Sequence, residues 1–301
     1  MIGMLYWSPH EWRGDPVTMT CVADAPRELD GYDEIDESDF RTLAELVERR
    51  SGIHLAPTKR PMVSSRLRGC ARRAGKHTVS AYCRFLFDEG GLTTEWPTVL
   101  DAITTNKTDF FRENEHFDFL IKEAVPDLIA RGHTELAVWS AACSTGPEAY
   151  TLAMVLDQAA ESRGFKFHIY ASDICCDALE KAERGVYPAE VASPVPSALH
   201  SRYVMTSRNK AANLVRIVPE LRRAVTFGHH NLLSPRSPWG RTMDVIFCRN
   251  VLIYFTRPTQ DLVLRHLCNQ LRVGGYLFIG HSESTMSMSL PIEQLRPSVY
   301  R

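Results

Sequence analysis

The residues best placed to do chemistry follow two short apolar segments that we predict to be β-strands. Residues 141–146, a loop of small side chains, follow the run 136–139 and open a helix, so backbone N–H groups there can approach a ligand closely. Asp173 follows the next run, 167–170, at a position where an acidic side chain typically accepts hydrogen bonds from ribose hydroxyls. Together the two features indicate a cofactor that contains adenosine. The loop lacks the G-x-G-x-x-G pattern, so simple packing of small residues explains it equally well.

The charge at the start of the next helix narrows the choice of cofactor. The sequence has no G-x-x-x-x-G-K-[ST] loop, and Glu148 lies in the first turn after Gly146, where its carboxylate would repel a pyrophosphate. A carboxylate there suits a cationic ligand. S-adenosylmethionine, with an amino group, a sulfonium and no phosphate, meets that requirement. Taken alone, the commoner explanation for Glu148 is the gain of about 0.3–1 kcal/mol from the helix dipole.

A second feature is a run of seven basic residues without an acid between Lys59 and Lys76. When the segment is wound as a helix, its apolar side chains fall on one arc and the basic ones, except Arg60, on the opposite half. We call these residues the basic stripe: Lys59, Arg66, Arg68, Arg72, Arg73 and Lys76. The stripe is either a docking surface for an acidic partner or only a solvated helix face.

The elements that position these residues divide the chain into three parts. Residues 1–37 show little periodicity, with eight acids and one base between Asp24 and Asp39, and predict a flexible, solvated tail. Residues 38–104 predict an all-helical domain. Its helices begin near residues 38, 58, 79 and 95, and Ser38 or a neighbouring Asp caps the first of them.

From residue 105 to 301, apolar strands alternate with helices, which predicts βαβ units around a mostly parallel sheet. Residues 185–223 interrupt this rhythm with four prolines and predict an inserted subdomain, in which 214–218 form a strand of a small antiparallel sheet. The fold class is therefore α/β, a Rossmann-like domain with a small antiparallel β-subdomain, preceded by an all-helical domain.

Composition excludes several classes of function. With 35 Lys and Arg against 36 Asp and Glu, the net charge of −1 argues against a protein that holds nucleic acid through overall positive charge. The eight cysteines include no C-x-x-C pair or zinc-type cluster, so we expect no metal and no disulfide framework. No secretory signal and no run of about 18 apolar residues is present, so we expect a cytoplasmic protein without membrane insertion.

Five segments, in order, resemble the signatures of the CheR family of chemotaxis receptor methyltransferases. They are residues 104–113, 139–146, 171–174, 246–255 and 280–284. The resemblance covers roughly residues 38–301. It implies the two-domain architecture predicted above and transfer of the methyl group of S-adenosylmethionine to glutamates on the cytoplasmic helices of chemoreceptors. The products would be glutamyl methyl esters and S-adenosylhomocysteine.

The resemblance also implies the roles of particular residues. Arg112 and Tyr254 would be catalytic, holding the incoming carboxylate. The cofactor would be bound by Asn106, Thr108, Arg112, Glu148, Asp173, Asn231, Leu232, Arg249 and Asn250. The basic stripe would recognise the receptor helix through Lys59, Arg66, Arg68, Arg72 and Arg73.

The chain departs from the family at two places. Pro147 stands where the family usually has a first glutamate, but proline suits a first helical position, so we expect cofactor binding to persist. Family members whose β-subdomain adds a receptor peptide to a sheet edge tend to have glycines in a loop that here, at 206–213, has none. We therefore expect no peptide tether.

Two other functions remain open from the sequence. One is a methyltransferase that acts on RNA or a small molecule, although the near-neutral charge and the lack of clustered aromatic residues disfavour RNA. The other is a regulatory protein that binds S-adenosylmethionine without turnover. We expect a monomer whose partners are chemoreceptor cytoplasmic domains, and no nucleic acid.

Overall fold

The computed structural model describes residues 33–283 and 289–301, together with the backbone of residues 11–12. Four helices form the N-terminal layer: α1 (Glu37–Ser51), α2 (Arg60–Arg73), α3 (Val79–Phe87) and α4 (Leu92–Ile103). Their apolar faces enclose one core, with side chains such as Leu43, Val63 and Tyr82 completely buried. Helix α4 begins three residues earlier than predicted, with Gly91 as its N-cap.

The helical layer begins before residue 38. Ile35 is buried, and its N–H donates to Ser64 Oγ over 3.1 Å. The Asp33 carboxylate accepts the N–H of Val79, and the Asp36 side chain caps α1. The prediction of a solvated tail up to residue 37 is therefore wrong for residues 33–36. Most of the rest of that tail, residues 1–10 and 13–32, lies outside the described residues.

A seven-stranded sheet forms the second layer, in the order β10-β11-β9-β8-β2-β3-β7. Its strands are β2 (Glu135–Ala141), β3 (Lys166–Asp173), β7 (Val225–His229), β8 (Met243–Cys248), β9 (Leu271–Ile279), β10 (Gln294–Arg296) and β11 (Val299–Tyr300). The first five run parallel, and β11 and β10 add an antiparallel edge. The predicted α/β class is confirmed.

Helices cover both faces of this sheet. Alternate residues of β2 belong to different cores, since Leu136 and Val138 pack on one face and Ala137 and Trp139 on the other. The covering helices include α7 (Pro147–Arg163), α8 (Cys176–Arg184) and α11 (Arg257–Gln270). Burial on both faces explains why the central strands are continuous apolar runs in the sequence.

The helical segment before β2 contains a widened turn. α5 (Glu115–Phe119) leads into a π-helical turn (Leu120–Ala124) and then α6 (Val125–Ala130). Pro126 has no N–H to donate to the carbonyl one turn earlier, which accounts for an irregular turn at this point.

A small sheet follows α8, with the order β1-β5-β6-β4. Its strands β4 (Val186–Pro188), β5 (Val204–Ser207) and β6 (Leu214–Ile217) are antiparallel, with α9 (Ser197–Tyr203) before β5 and α10 (Pro219–Arg223) after β6. β1 (Glu11–Trp12) pairs in parallel with β5. The sheet expected to be wholly antiparallel thus carries one parallel strand, supplied by the segment predicted to be a free tail.

None of the helices in the described ranges is long and apolar enough to span a membrane.

Candidate active site

A cleft lies where the helical layer meets the carboxyl ends of β2, β3 and β8. It is partly open to solvent, so a ligand can enter it. Its walls include all ten residues that the sequence marked as catalytic or cofactor-binding: Asn106, Thr108, Arg112, Glu148, Asp173, Asn231, Leu232, Arg249, Asn250 and Tyr254. The fold thus brings them together from seven separate places in the chain, and their individual roles stay predictions.

The small-residue loop after β2 has an unusual backbone. Ala142, Ser144 and Gly146 all have positive φ angles, of 70°, 52° and 98°. A Cβ on Gly146 would lie 2.9 Å from the Ala182 side chain and 2.9 Å from the Tyr187 hydroxyl. Glycine is therefore required at 146 by packing as well as by conformation.

Asp173 holds this loop in place. Its carboxylate accepts the N–H of Ser144 over 2.7 Å and the N–H of Cys175 over 2.9 Å. Burial raises the pKa of Asp173, and the two backbone N–H bonds oppose that rise. The residue lines the cleft as predicted, but its contacts show that it also orders the loop around the ligand space.

Glu148 is paired within the protein. It is buried in the first turn of α7, accepts the Ser140 hydroxyl over 2.7 Å and forms an ion pair of 2.8 Å with Arg249 Nε. Arg249 is also buried and donates to the carbonyl oxygen of Arg112 and to His116 Nδ1, each over 2.9 Å. Glu148 therefore has a partner within the protein as well as a place on the cleft wall, and its predicted contact with a cationic ligand stays a prediction.

Arg112 and Tyr254 both lie on the cleft wall, although they are far apart in the sequence. Arg112 is half-buried, and its Nη1 donates to the carbonyl of Lys107 over 3.2 Å. Tyr254 ends a 3₁₀ turn (Leu252–Tyr254), and its carbonyl accepts the N–H of His54 over 2.8 Å. The loop after α1 therefore touches the segment that carries Tyr254.

Asn106, in the segment that joins the helical layer to the sheet domain, contacts the small-residue loop after β2 and the residues that follow β3. Asn106 Nδ2 lies 3.1 Å from Cys175 Sγ, and the Asn106 carbonyl accepts the Ser144 hydroxyl over 3.0 Å. On the far wall, Asn231 Nδ2 donates to the carbonyl of Arg50 over 2.6 Å. These contacts make both layers part of one site.

Several wall residues were missed by the sequence reasoning. His230 is buried, lies 5.6 Å from the Trp139 ring and has a pKa lowered to about 4, chiefly by burial. His54, Leu55 and Met62 of the helical layer also face the cleft. Apart from the position of His230 beside Asn231, no pattern in the sequence marks these residues.

The residues of the basic stripe fall into two groups, one bonded within the protein and one accessible to solvent. Arg66 Nη1 donates to the carbonyls of Ala102, Ile103 and Thr104, at 3.3, 2.9 and 2.7 Å, so it caps the end of α4. Arg68 Nε donates to the Asp33 carbonyl. The prediction that these two arginines face a partner therefore needs correction, because their guanidinium groups serve the fold.

The remaining stripe residues are more accessible. Lys59 is exposed and lines the cleft, while Arg72 and Arg73 are exposed on α2. Lys76 pairs with Glu89 over 3.3 Å. The stripe thus offers fewer groups to a partner than its sequence suggested.

Three groups that are common metal ligands, Glu113, His116 and His281, lie within 4.8 Å of one another in the described part of the chain. The Arg249 guanidinium donates to His116 Nδ1 and lies 3.5 Å from Glu113. A fixed positive charge at that distance disfavours a divalent cation.

The residues present fit S-adenosylmethionine. No phosphate-binding loop opens α7, the buried Glu148 lies in its first turn, and Asp173 lines the cleft at the end of β3, where an acid can accept from ribose hydroxyls. A cleft at the strand ends of an open, mostly parallel sheet is the usual ligand site of doubly wound α/β folds, and these features together point to the class of S-adenosylmethionine-dependent methyltransferases.

Comparison with known families narrows the class. The family model described as "CheR methyltransferase, SAM binding domain" matches residues 106–299, and the one described as "CheR methyltransferase, all-alpha domain" matches residues 38–104. The chain therefore belongs to the CheR methyltransferase family, which confirms the resemblance, the enzyme class and the cofactor expected from the sequence.

Curated relatives resemble the chain over most of its length. A chemotaxis protein methyltransferase of Salmonella typhimurium is 39% identical over 251 residues, which cover 83% of this chain and 85% of the relative. Chemotaxis protein methyltransferase 2 of Pseudomonas aeruginosa is 38% identical over 262 residues, 87% of this chain and 92% of the relative. A chemotaxis protein methyltransferase of Borreliella burgdorferi is 33% identical over 273 residues, 89% and 95% of the two chains.

Proposed function

We propose that this protein acts in the cytoplasm and transfers the methyl group of S-adenosylmethionine to glutamate side chains on the cytoplasmic helices of chemoreceptors. The relatives named as chemotaxis protein methyltransferases support a role in chemotaxis. Within this proposal, residues 38–104 serve receptor docking and residues 105–301, with the insertion 185–223, serve the cofactor and the chemistry.

The distribution of charge in the cleft is the observation that carries the proposal. Its two acids, Glu148 and Asp173, are buried. Its accessible cations are Lys59 and Lys107, both exposed, and the half-buried Arg112. The charge that an entering group meets at accessible side chains is therefore positive, which suits a carboxylate substrate.

The reaction requires no proton transfer. A glutamate with a reference pKa of about 4.3 is ionised near neutral pH. When bound, S-adenosylmethionine would supply the methyl group to a carboxylate oxygen and would leave as S-adenosylhomocysteine, with the electron pair of the broken carbon–sulfur bond on its sulfur. The cofactor supplies this methyl group on a positively charged sulfur. The protein must then align the carboxylate and exclude water, rather than provide a base.

Two side chains are proposed to align the substrate. Arg112 holds the incoming carboxylate through its guanidinium group, and the Tyr254 hydroxyl donates a hydrogen bond to the same group. The contact between the Tyr254 carbonyl and the His54 N–H supports this assignment, because it fixes Tyr254 against the layer that carries Lys59. Their placement on the cleft wall leaves both side chains accessible to a substrate.

The remaining predicted residues are proposed to hold the cofactor in two ways. Asn106, Thr108, Asp173, Asn231 and Leu232 form the wall directly. Glu148, Arg249 and Asn250 also line the cleft and are bonded within the protein as well, since Arg249 Nε pairs with Glu148 and Asn250 Nδ2 donates to Glu113 over 3.0 Å.

Docking of the receptor helix is proposed to use the accessible part of the basic stripe. Lys59 lines the cleft, and Arg72 and Arg73 are exposed in the last turn of α2, so all three offer positive charge to a partner. A helix that bears glutamates would be attracted and oriented by it. The absence of a peptide tether stays a prediction, and it is supported by β1, which covers the edge of β5 where an added strand would pair.

Methyl transfer to a carboxylate has a specific chemical signature. The protein is incubated with S-adenosylmethionine labelled in the methyl group and with receptor-containing membranes, and the washed membranes are then treated with alkali. Carboxyl methyl esters release labelled methanol, whereas methylated nitrogen or RNA does not. Release of methanol supports the proposal. Absence of label on the membranes would favour a protein that binds the cofactor without turnover, and alkali-stable label would favour another substrate.

A further inference from the structure

Glu283 makes an unusual set of contacts beside the cleft. The residue is 8% exposed, and both of its carboxylate oxygens accept backbone N–H groups. Oε1 accepts from Leu252 over 2.7 Å and from Ile253 over 3.3 Å. Oε2 accepts from Asn250 over 3.0 Å and from Gly280 over 2.6 Å. Three of the four donors belong to the segment that leads to Tyr254.

We call residues 250–254 the Tyr254 loop. The loop begins with Asn250 in the left-handed region, at a φ of 57°, and ends in the 3₁₀ turn Leu252–Tyr254. The first N–H groups of such a turn have no partner within it. Leu252 is buried, so water does not replace a partner for its N–H. Without Glu283 the loop would contain an unsatisfied buried donor and a left-handed asparagine, both of which favour another conformation.

We propose that Glu283 is a positioning residue for methyl transfer, which acts by holding the Tyr254 loop in the conformation that places Tyr254 on the wall of the cleft. The inference rests on the role proposed for Tyr254 in methyl transfer to glutamate. Glu283 itself bonds to the backbone of the loop and is not among the residues that line the cleft.

An ionised carboxylate suits this position better than its amide. Each oxygen accepts two N–H groups, which a carboxylate can do because it offers about four acceptor sites and no donor. A glutamine has one oxygen and an NH₂ group, and the NH₂ would point its hydrogens at two of the N–H donors. Burial raises the pKa of Glu283 while the four N–H groups oppose that rise. Glu283→Gln therefore removes half of the acceptors at nearly constant volume.

A double-mutant cycle tests whether Glu283 acts through Tyr254. The kcat and KM values of receptor methylation are measured for wild type, E283Q, Y254F and E283Q/Y254F, with E283D as a conservative variant. We expect E283Q to lower kcat about 10- to 100-fold, as for a small misplacement of an aligning group, with a much smaller change in KM. Because both substitutions remove the same contribution, E283Q should cost far less in the Y254F background. E283D, which keeps the charge, should recover part of the loss.

Two kinetic results would overturn the inference. One is full additivity, in which the double variant loses the product of the two single losses. The other is a kcat of E283Q within about twofold of wild type. The matched control is Glu293→Gln, at a surface carboxylate whose side chain is 72% exposed, and it should leave the kinetics unchanged.

Amide hydrogen exchange gives a readout that does not depend on activity. In E283Q the N–H groups of residues 250–253 should exchange roughly tenfold faster or more, while those of β2 stay protected as in wild type. Unchanged exchange in 250–253 would contradict the proposed hold on the loop. If no receptor is methylated by wild type but exchange rises only in this loop, the proposed substrate is wrong and the action of Glu283 on the loop is upheld.

Discussion

A comparison of variants at Arg66 and Arg72 distinguishes a structural arginine from a docking arginine on the same helix. Arg66 and Arg72 lie on α2, and the sequence places both on the basic stripe. In the structure, Arg66 Nη1 donates to three carbonyls at the end of α4, whereas Arg72 is exposed. The variants R66A and R72A therefore remove the same charge from two different environments.

The magnitude follows from the bonds that are lost. A hydrogen bond to a charged group contributes roughly 1.5–3 kcal/mol, but three bonds from one partly exposed nitrogen are not additive. We expect R66A to lower the free energy of unfolding by about 2–3 kcal/mol, or Tm by roughly 4–10 °C. R72A should change stability by less than about 0.5 kcal/mol, as for an exposed position.

Thermal unfolding and receptor kinetics are then compared for the two variants. The charge reversal R72E should raise KM for receptor several-fold, with little change in affinity for S-adenosylhomocysteine and none in Tm. If R66A melts like wild type and loses only receptor affinity, Arg66 is a docking residue after all and the assignment to α4 is refuted.

Three further predictions concern the cleft. Arg112→Ala should lower kcat for methyl transfer at least about 100-fold, equivalent to roughly 2.7 kcal/mol, with a smaller loss of affinity for S-adenosylhomocysteine by calorimetry; near-normal turnover would remove Arg112 from the mechanism. Gly146→Ala should destabilise the protein by about 2–4 kcal/mol in chemical denaturation, because it combines a positive φ with close contacts, and a stability equal to wild type would contradict the packing around the loop. Burial lowers the pKa values of His116 and His230 to about 4. As the pH falls, the unfolded chain therefore binds protons at these histidines before the folded chain does. Their contribution to the free energy of unfolding is constant above about pH 6.5 and falls as the pH drops from 6.5 to 4. Each histidine contributes up to about 3 kcal/mol to this loss; H230N should have a shallower pH dependence by up to one proton, and an unchanged slope would show that His230 is not buried in its neutral form.

The fold is largely predictable because its periodicities are strong. The apolar spacing of α1 and α2 and the continuous apolar runs of β2 and β8 follow directly from burial on one face or on two. The Ile35 contact is different. Ile35 is a single apolar residue among acids, so the sequence around it has no periodicity. It is held by a contact with a distant residue, Ser64, which lies 29 residues later in the chain. Short segments that are ordered by tertiary contacts alone escape this kind of reasoning.

The site residues were predicted as a set, but their partners were not. Glu148 and Arg249 are 101 residues apart, and nothing local to either indicates that they pair. Arg66 looked like every other basic residue of the stripe, since helical periodicity gives the face of a side chain and not its bonding partner. Glu283 likewise owes its importance to backbone N–H groups about 30 residues away. The types of residue in the sequence predict the class of ligand, whereas long-range contacts in the fold determine which side chains face that ligand.

Mapping the modified residue on the receptor tests the central claim most directly. A receptor cytoplasmic fragment is incubated with S-adenosylmethionine and wild-type protein or R112A, digested, and analysed by peptide mass spectrometry before and after alkali treatment. The account predicts a methyl group on glutamate side chains that requires the cofactor, nearly disappears with R112A and is removed by alkali. A methyl group on any other type of side chain, or an unmodified receptor in the presence of active cofactor-bound protein, would contradict it.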